Sequence, residues 1–164
     1  MVKVANRAID VFLDAPRAGV VAVLLYGEDN GLVRERAARL AVAVVDDPND
    51  PFRVAEVNAA MLKEVPTRLF DEMAALSLTG GRRLVRLDRA GNGNSAAIEA
   101  VLDDPAISTS DSLLLVEAGA LAPRDSLRKL FETRKNAAAI PCYLDDGRLL
   151  ETLISEIMGQ HGLQ

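Results

Sequence analysis

The chain has 164 residues, of which 49% are hydrophobic and 26% are charged, and its formal net charge is −5. This length and balance fit one folded domain with a substantial core and exclude a mainly disordered chain. An acidic chain gains little from releasing the counterions of DNA, so unaided binding to duplex DNA is unexpected. Its one cysteine excludes an internal disulfide, and its apolar runs are too short to span a membrane. We therefore expect a cytoplasmic protein.

The first half of the chain predicts helices that alternate with strands. Apolar spacing predicts a short helix over Val2–Asp14. The unbroken apolar run Val20–Tyr26 is typical of a strand that is covered on both faces, as in a parallel sheet. A glycine loop follows, and then a helix over Leu32–Val45 that ends at a stretch rich in proline and aspartate. The alternation of apolar and polar residues in Phe52–Val57 predicts an edge strand.

The second half of the chain continues this alternation. Further strands are predicted at Arg83–Leu87, Leu113–Glu117 and Ala138–Tyr143. Helices are predicted around them: one through Leu69, Met73 and Leu76, one capped by Ser95, one beginning at Pro123 and one over Leu149–Met158. Strands alternating with helices indicate an α/β fold, a mainly parallel sheet of about five strands with helices on both faces. We expect residues 1–164 to form one domain.

Residues Val20–Arg36 have the layout of a phosphate-binding loop, with a strand, a glycine loop and a helix in succession. Backbone N–H groups at the start of such a helix can hold a phosphate. A working loop also has a lysine directly after its second glycine. Counted from Gly27, that lysine position is Val33, and Gly31 comes one residue too early. A plain turn, with Asn30 or Gly31 supplying the unusual backbone angles, is the simpler interpretation.

The charges around the loop also argue against a bound nucleotide. Glu28 and Asp29 would repel a triphosphate at close range. After the apolar strand at 113–116, Glu117 keeps an acid at the position that holds magnesium in P-loop proteins. The catalytic position that follows is Ala118. The sequence therefore predicts a P-loop-like fold without ATPase activity.

No other group of residues indicates a catalytic centre. His161 is the single histidine, so the sequence offers no histidine-based triad and no metal cluster. Cys142 lies in an apolar run, which favours a core position over a nucleophile. The sequence has four arginines close together, at 82, 83, 86 and 89. The favoured interpretation is that they pair with neighbouring acids, and the alternative is that they contact phosphate. We predict no catalytic residue, no metal and no cofactor.

Leu76 and Leu78 form a small apolar group just before Gly80 and Gly81, where the chain has to turn sharply. An exposed leucine on a turn is usually incidental. Two leucines on one loop can instead anchor in a partner's pocket, because burying one leucine contributes about 1.5–3 kcal/mol.

Five stretches, in this order along the chain, together resemble the delta subunit of bacterial DNA polymerase III, a clamp-loader protein of the AAA+ type. They are LYGEDNGLVRER at 25–36, ALSLTGGRR at 75–83, VEAG at 116–119, LRKLFE at 127–132 and AIPCY at 139–143. The resemblance spans nearly the whole chain. It implies an AAA+-like domain whose ATP site does not work, which agrees with the interpretation of Val33 and Ala118.

The resemblance also implies where this chain binds a partner. Delta-type subunits bind and open the ring-shaped sliding clamp with a tip of the form Ser-Leu-Phe that follows a helix. Ser77 and Leu78 match that tip and Thr79 replaces its phenylalanine, so the implied clamp-binding residues are Leu76, Ser77, Leu78 and Thr79. Other clamp-loader subunits are the further partners implied, with DNA reached only through the assembled complex.

Members of this family continue into a lid and a collar domain, so the resemblance implies that this chain is an N-terminal portion and that more follows Gln164. Two alternative functions stay open at this point. One is a P-loop NTPase with an atypical nucleotide-binding loop. The other is a nucleic-acid-binding module that uses the arginines between 82 and 89.

Overall fold

The computed structural model describes residues 2–3, 8–75, 81–108 and 110–143. The strands of the described part are β1 (Val2–Lys3), β2 (Ala22–Tyr26), β3 (Val54–Asn58), β4 (Arg83–Ala90), β5 (Ser112–Ala118) and β6 (Ala137–Pro141). The helices of the described part are α1 (Ile9–Asp14), α2 (Asn30–Val44), α3 (Ala59–Glu64), α4 (Thr67–Ala74), α5 (Ser95–Leu102), α6 (Pro105–Ser108) and α7 (Ser126–Thr133).

The strands form one sheet in the order β1-β6-β2-β5-β4-β3, and every neighbouring pair is parallel. The predicted α/β fold with a parallel sheet is therefore confirmed. All five predicted strands are present, and β1 adds a short sixth strand at one edge. The helix predicted over Val2–Asp14 is wrong in its first part, because Val2 and Lys3 pair with Ala138 and Ala139 of β6. Among the described residues of this range, α1 supplies the α-helix.

The centre of the sheet is buried on both faces because its strands are apolar at consecutive positions. Every residue of β2 is buried, and alternate residues enter different cores. Leu24 packs with α3, α4, α5 and α7 on one face, whereas Val23 packs with α1 and α2 on the other. The prediction of helices on both faces is confirmed. No helix in the described ranges is long and apolar enough to cross a membrane.

Two local predictions have different outcomes. The edge strand predicted at 52–57 is confirmed, since β3 lies at the outer edge of the sheet and exposes Glu56. The prediction that Ser95 caps a helix is wrong, because Ser95 is the first residue of α5 and its Oγ lies 2.9 Å from Oγ of Ser126. The buried Asn94 stands at the cap position, and its side chain accepts a hydrogen bond from the Gly91 N–H instead. The helix predicted at 149–158 lies outside the described residues.

One ion pair joins the last turn of α4 to the first residue of β4. Arg83 donates to the backbone carbonyl of Glu72 and also to its carboxylate, at 2.9 Å. Both side chains are largely shielded from water, with exposed fractions of 12% for Arg83 and 23% for Glu72. Because β4 begins here, this contact fixes the end of α4 at the edge of the sheet where the parallel strands begin.

The first prediction concerns this ion pair. We expect Arg83→Gln to lower the free energy of unfolding by about 1.5–3 kcal/mol, because it removes charge-assisted hydrogen bonds and leaves the Glu72 carboxylate with only the longer contact to Arg68, at 3.7 Å. Urea unfolding followed by circular dichroism measures this. Arg39→Gln is the control. Arg39 pairs with Asp14 at 2.7 Å but is 43% exposed, so this variant should lose far less of the free energy of unfolding. Equal losses in the two variants would contradict the prediction.

Candidate functional site

The loop between β2 and α2 is held by the ends of two neighbouring strands. The Gly27 N–H donates to the carbonyl oxygen of Gly119, just after β5, at 3.1 Å. The Cys142 N–H, just after β6, donates to the carbonyl oxygen of Tyr26 at 2.6 Å. Gly27 has φ = +152°, and a Cβ built on it would collide with the backbone carbonyl of Cys142. A side chain at position 27 is therefore excluded both by the backbone angle and by the space.

The expectation that Asn30 or Gly31 supplies the unusual backbone angles is wrong. Both residues belong to the first turn of α2, and neither has a positive φ. The required glycine is Gly27, one of the predicted loop residues, because it lies where the two neighbouring strands close on the loop. Gly31 is instead an ordinary helical position, and a Cβ there would lie 3.3 Å from Oδ1 of Asp29.

The N-terminus of α2 is capped by a carboxylate of the chain itself. Asp29 stands at the cap position, and its Oδ1 accepts the Leu32 N–H at 3.0 Å. Its backbone carbonyl accepts the Val33 N–H, also at 3.0 Å. The Val33 side chain is only 4% exposed and packs in the core formed with α1. At the position where a phosphate-binding loop carries a lysine, this chain therefore places a buried apolar side chain.

The end of β5 carries an acid that is already paired. Oε2 of Glu117 lies 3.2 Å from Nη2 of Arg86 on the neighbouring strand β4, and the Glu117 side chain is 14% exposed. Ala118 points to the opposite face, where it is buried in the core with α7. No carboxylate therefore follows Glu117 that could activate a water molecule beside it.

Two adjoining cavities lie along the edge where the parallel strands end. One, of about 370 Å³, is lined by residues of β3, β4 and β5 that include Glu56, Arg86, Asp88 and Glu117. The other, of about 310 Å³, lies at the start of α2 and adds Arg34 and Arg89 to the shared Asp88 and Glu117. We call the two together the carboxyl-edge groove. Within the described ranges, no three acids, histidines or cysteines are arranged to hold a metal ion.

The arginines between 82 and 89 do not form one basic surface. Arg83 pairs with Glu72 on α4, whereas Arg86 pairs with Glu117 on the other face of the sheet. Arg82 donates to the backbone carbonyl of Asp111. The favoured interpretation, pairing with neighbouring acids, is confirmed for Arg83 and Arg86.

An aromatic cluster at the same edge of the sheet was not predicted from the sequence. The rings of Tyr26 and Tyr143 meet edge to face with centroids 6.5 Å apart, and the Arg128 guanidinium lies 5.1 Å from the Tyr26 centroid. Burial, reinforced by the neighbouring Tyr143, raises the pKa of the Tyr26 phenol well above its usual range. The three residues are distant in the sequence, and only the parallel pairing of β2 with β6 brings the tyrosines together.

Cys142 is fully buried, as its apolar surroundings in the sequence predicted. Burial raises the pKa of its thiol, against the opposing influence of Arg36 nearby. Nη1 of Arg36 lies 3.7 Å from the sulfur and donates to the carbonyl oxygen of Pro141 at 2.7 Å. Arg36 thus ties α2 to the end of β6, and the protonated thiol is a packing group rather than a nucleophile.

The predicted clamp-binding residues Leu76, Ser77, Leu78 and Thr79 lie outside the described residues. Their flanks are described: α4 ends at Ala74, and Gly81 has φ = +81° with the Arg53 guanidinium close by. The Arg83–Glu72 contact places both flanks at the edge where strands begin. This is the edge opposite the carboxyl-edge groove.

Comparisons with known proteins identify the fold. No family model and no curated protein sequence matches the chain. Among solved structures it is similar to the DNA clamp loader delta protein of Bacillus subtilis, with 20% identity and a TM-score of 0.65 over 87% of this chain and 44% of that one. It is also similar to a DNA polymerase III gamma subunit-related protein of Thermotoga maritima, with 13% identity and a TM-score of 0.53 over 96% of this chain and 52% of that one. The chain therefore spans about half the length of these two proteins. The predicted resemblance to clamp-loader proteins is confirmed at the level of the fold.

The second prediction concerns the glycine loop. We expect Gly27→Ala to lower the free energy of unfolding by about 3 kcal/mol or more, since the methyl group would collide with the Cys142 carbonyl and would require a strained φ. Thermal unfolding by calorimetry measures the loss. Gly119→Ala is the matched control, because a Cβ there would meet no atom within 4 Å. A Gly27→Ala protein as stable as the Gly119→Ala protein would show that the loop is not closed in this way.

Proposed function

We propose that this chain is the AAA+-like portion of a non-catalytic clamp-loader subunit that binds and opens the sliding clamp during DNA replication. The observation that carries the proposal is the fold shared with a clamp loader delta protein over most of the chain. The order of the resembling stretches in the sequence supports it as well. A cytoplasmic location belongs to the same proposal.

Independence from ATP is part of this proposal. The residues at the carboxyl-edge groove do not fit a magnesium nucleotide, because Val33 replaces the lysine and lies in a core. The acid at the end of β5 is engaged by Arg86, and Ala118 supplies no base. A subunit of this kind would contribute a fixed shape to the assembly rather than a hydrolysis step.

The clamp-binding residues we propose are Leu76, Ser77, Leu78 and Thr79. Their described flanks support this choice, since the Arg83–Glu72 pair holds the end of α4 firmly beside the start of β4. Leu76 and Leu78 would enter an apolar pocket of the clamp, where burial of each side chain would contribute about 1.5–3 kcal/mol. The opposite edge of the sheet then stays available to other clamp-loader subunits.

Direct binding of DNA by this chain is not part of the proposal. Its formal charge is −5, and two of the arginines in the 82–89 stretch are neutralised by acids on different faces. Contact with DNA would come only through the assembled complex, whose other subunits would supply the positive charge.

The third prediction tests the clamp-binding residues. We expect Leu78→Ala to weaken capture of the sliding clamp about tenfold or more, because burial of a leucine side chain contributes about 1.5–3 kcal/mol. Surface plasmon resonance with the clamp immobilised measures the dissociation constant. Val65→Ala is the matched control, since Val65 is an apolar residue that is 49% exposed outside the tip. If both variants bind like the unmodified protein, Leu78 is not a contact.

The fourth prediction uses the residue that departs from the family pattern. We expect Thr79→Phe to tighten clamp binding about tenfold or more, since it returns an aromatic anchor worth roughly 1.5–3 kcal/mol to the tip. The same surface plasmon resonance assay measures the gain. Thr133→Phe, on α7, tests whether any added aromatic ring has this effect. A gain at both positions would point to non-specific adhesion.

A P-loop NTPase with an atypical loop is the competing function, and calorimetric titration with ATP and magnesium separates the two. We expect no binding heat at ATP concentrations up to the millimolar range, since the loop lacks its lysine and carries Asp29. Micromolar binding would favour the NTPase and remove the non-catalytic part of the proposal.

A further inference from the structure

The chain itself supplies both charges that a magnesium nucleotide would bring to the carboxyl-edge groove. The Arg86 guanidinium lines the groove, and the Asp29 carboxylate caps the start of α2, whose first turn lines it. In a phosphate-binding loop, backbone N–H groups at the helix start hold phosphate oxygens, and an acid at the end of a neighbouring strand holds the metal ion. Here the N–H of Leu32 is taken by the Asp29 carboxylate. The Glu117 carboxylate is taken by the Arg86 guanidinium.

We propose that Asp29 and Arg86 close this groove to nucleotides by acting as internal substitutes, Asp29 for the phosphate and Arg86 for the divalent cation. The inference shares with the proposed function the claim that no nucleotide is bound. It does not depend on clamp binding. It goes further than the missing lysine, whose absence only removes an attraction for phosphate. Asp29 and Arg86 instead occupy the Leu32 N–H and the Glu117 carboxylate, the groups that would otherwise hold a magnesium nucleotide.

The geometry of Arg86 supports this role. In the sheet register Arg86 stands opposite Leu115, so Glu117 is its diagonal neighbour on the same face. Exposed fractions of 25% for Arg86 and 14% for Glu117 show that the pair is mostly shielded from solvent. A guanidinium stays charged throughout the physiological pH range and, unlike a bound metal ion, cannot dissociate. Glu117 therefore has a counter-charge that cannot leave the protein.

The surroundings of Arg86 make the substitution testable. Glu56, Asp88 and Glu117 line the same cavity as Arg86, which is the one cation among the residues that line it. Without the guanidinium the lining of this cavity, of about 370 Å³, would carry three carboxylates and no cation. The three are not arranged as a preformed metal site, but their negative charge would attract hard divalent cations, which bind carboxylate oxygens.

One half of the inference, that Arg86 substitutes for the divalent cation, we call the cation half. It is tested by measuring the thermal unfolding of Arg86→Gln in magnesium chloride and, for comparison, in sodium chloride of equal ionic strength. At tenfold excess over the dissociation constant we expect the Tm of the variant to rise by about 3 °C or more. The unmodified protein and Arg86→Lys should show no such rise. Arg83→Gln is the matched control, because it removes an arginine of the same strand from the other face.

Each result of this experiment decides the cation half. A magnesium-dependent rise in the unmodified protein, or no rise in Arg86→Gln, would overturn it. If Arg86→Gln does not fold in metal-free buffer, circular dichroism with added magnesium replaces the Tm measurement. Recovery of the fold would then support the inference, and failure to recover would overturn it.

The anion half is tested with Asp29→Gly, which frees the Leu32 N–H and removes the charge at a helix-cap position that tolerates glycine. We expect inorganic pyrophosphate to raise the Tm of this variant and to leave that of the unmodified protein unchanged, against sodium chloride of equal ionic strength. Asp104→Gly is the control, since Asp104 caps a different helix start through the Ala106 and Ile107 N–H groups. Equal responses to pyrophosphate in Asp29→Gly and the unmodified protein would overturn this half. Loss of clamp capture by Leu78→Ala leaves all these shifts unaffected, so the two proposals can fail separately.

Discussion

The close contact between Gly27 and the backbone of Cys142 sets the arrangement of the whole carboxyl edge. Because Gly27 has no side chain, the chain after β6 can lie directly against the glycine loop. The Cys142 N–H can then donate a hydrogen bond to the Tyr26 carbonyl oxygen. This contact brings Tyr143 to Tyr26 and lets Arg36 reach the carbonyl of Pro141. The loop is thus a junction between β2, β5, β6 and α2. Its glycine is needed for packing, whether or not a phosphate is bound.

Because of that requirement, a loop of this shape does not by itself indicate a bound nucleotide. The chain has to join β2 to α2 through a tight turn, and this alone requires the glycine. In this loop Val33 is a core residue and Asp29 is a helix cap. An unpaired acid at the end of β5 would be costly, because a partly buried carboxylate needs a counter-charge. Arg86 provides that charge.

The sequence predicts the fold well for a physical reason. Strands covered on both faces are apolar at consecutive positions, so Val20–Tyr26 and Leu113–Glu117 are visible in the sequence, and their alternation with helices leaves few possible topologies. β1 was missed because two residues carry no periodicity, and its pairing with β6 depends on tertiary structure alone. The positive φ of Gly27 and the identity of the acid that pairs with Arg86 were missed for a related reason. Each depends on the approach of strands that are distant in the sequence.

The described flanks of the proposed clamp-binding residues and the groove lie at opposite edges of the sheet, and under the proposed function this separation constrains how the chain can act. In an ATP-dependent subunit, a change of nucleotide at the carboxyl edge can be transmitted through the strands to the other edge. Under the inference that Asp29 and Arg86 substitute for the ligand, the groove would have no ligand-dependent state to transmit, because both residues are covalently part of the chain. The described flanks of the proposed tip are joined through Arg83 and Glu72. Under the proposed function, a tip between these flanks would exert force on a bound clamp only when neighbouring subunits move the whole domain.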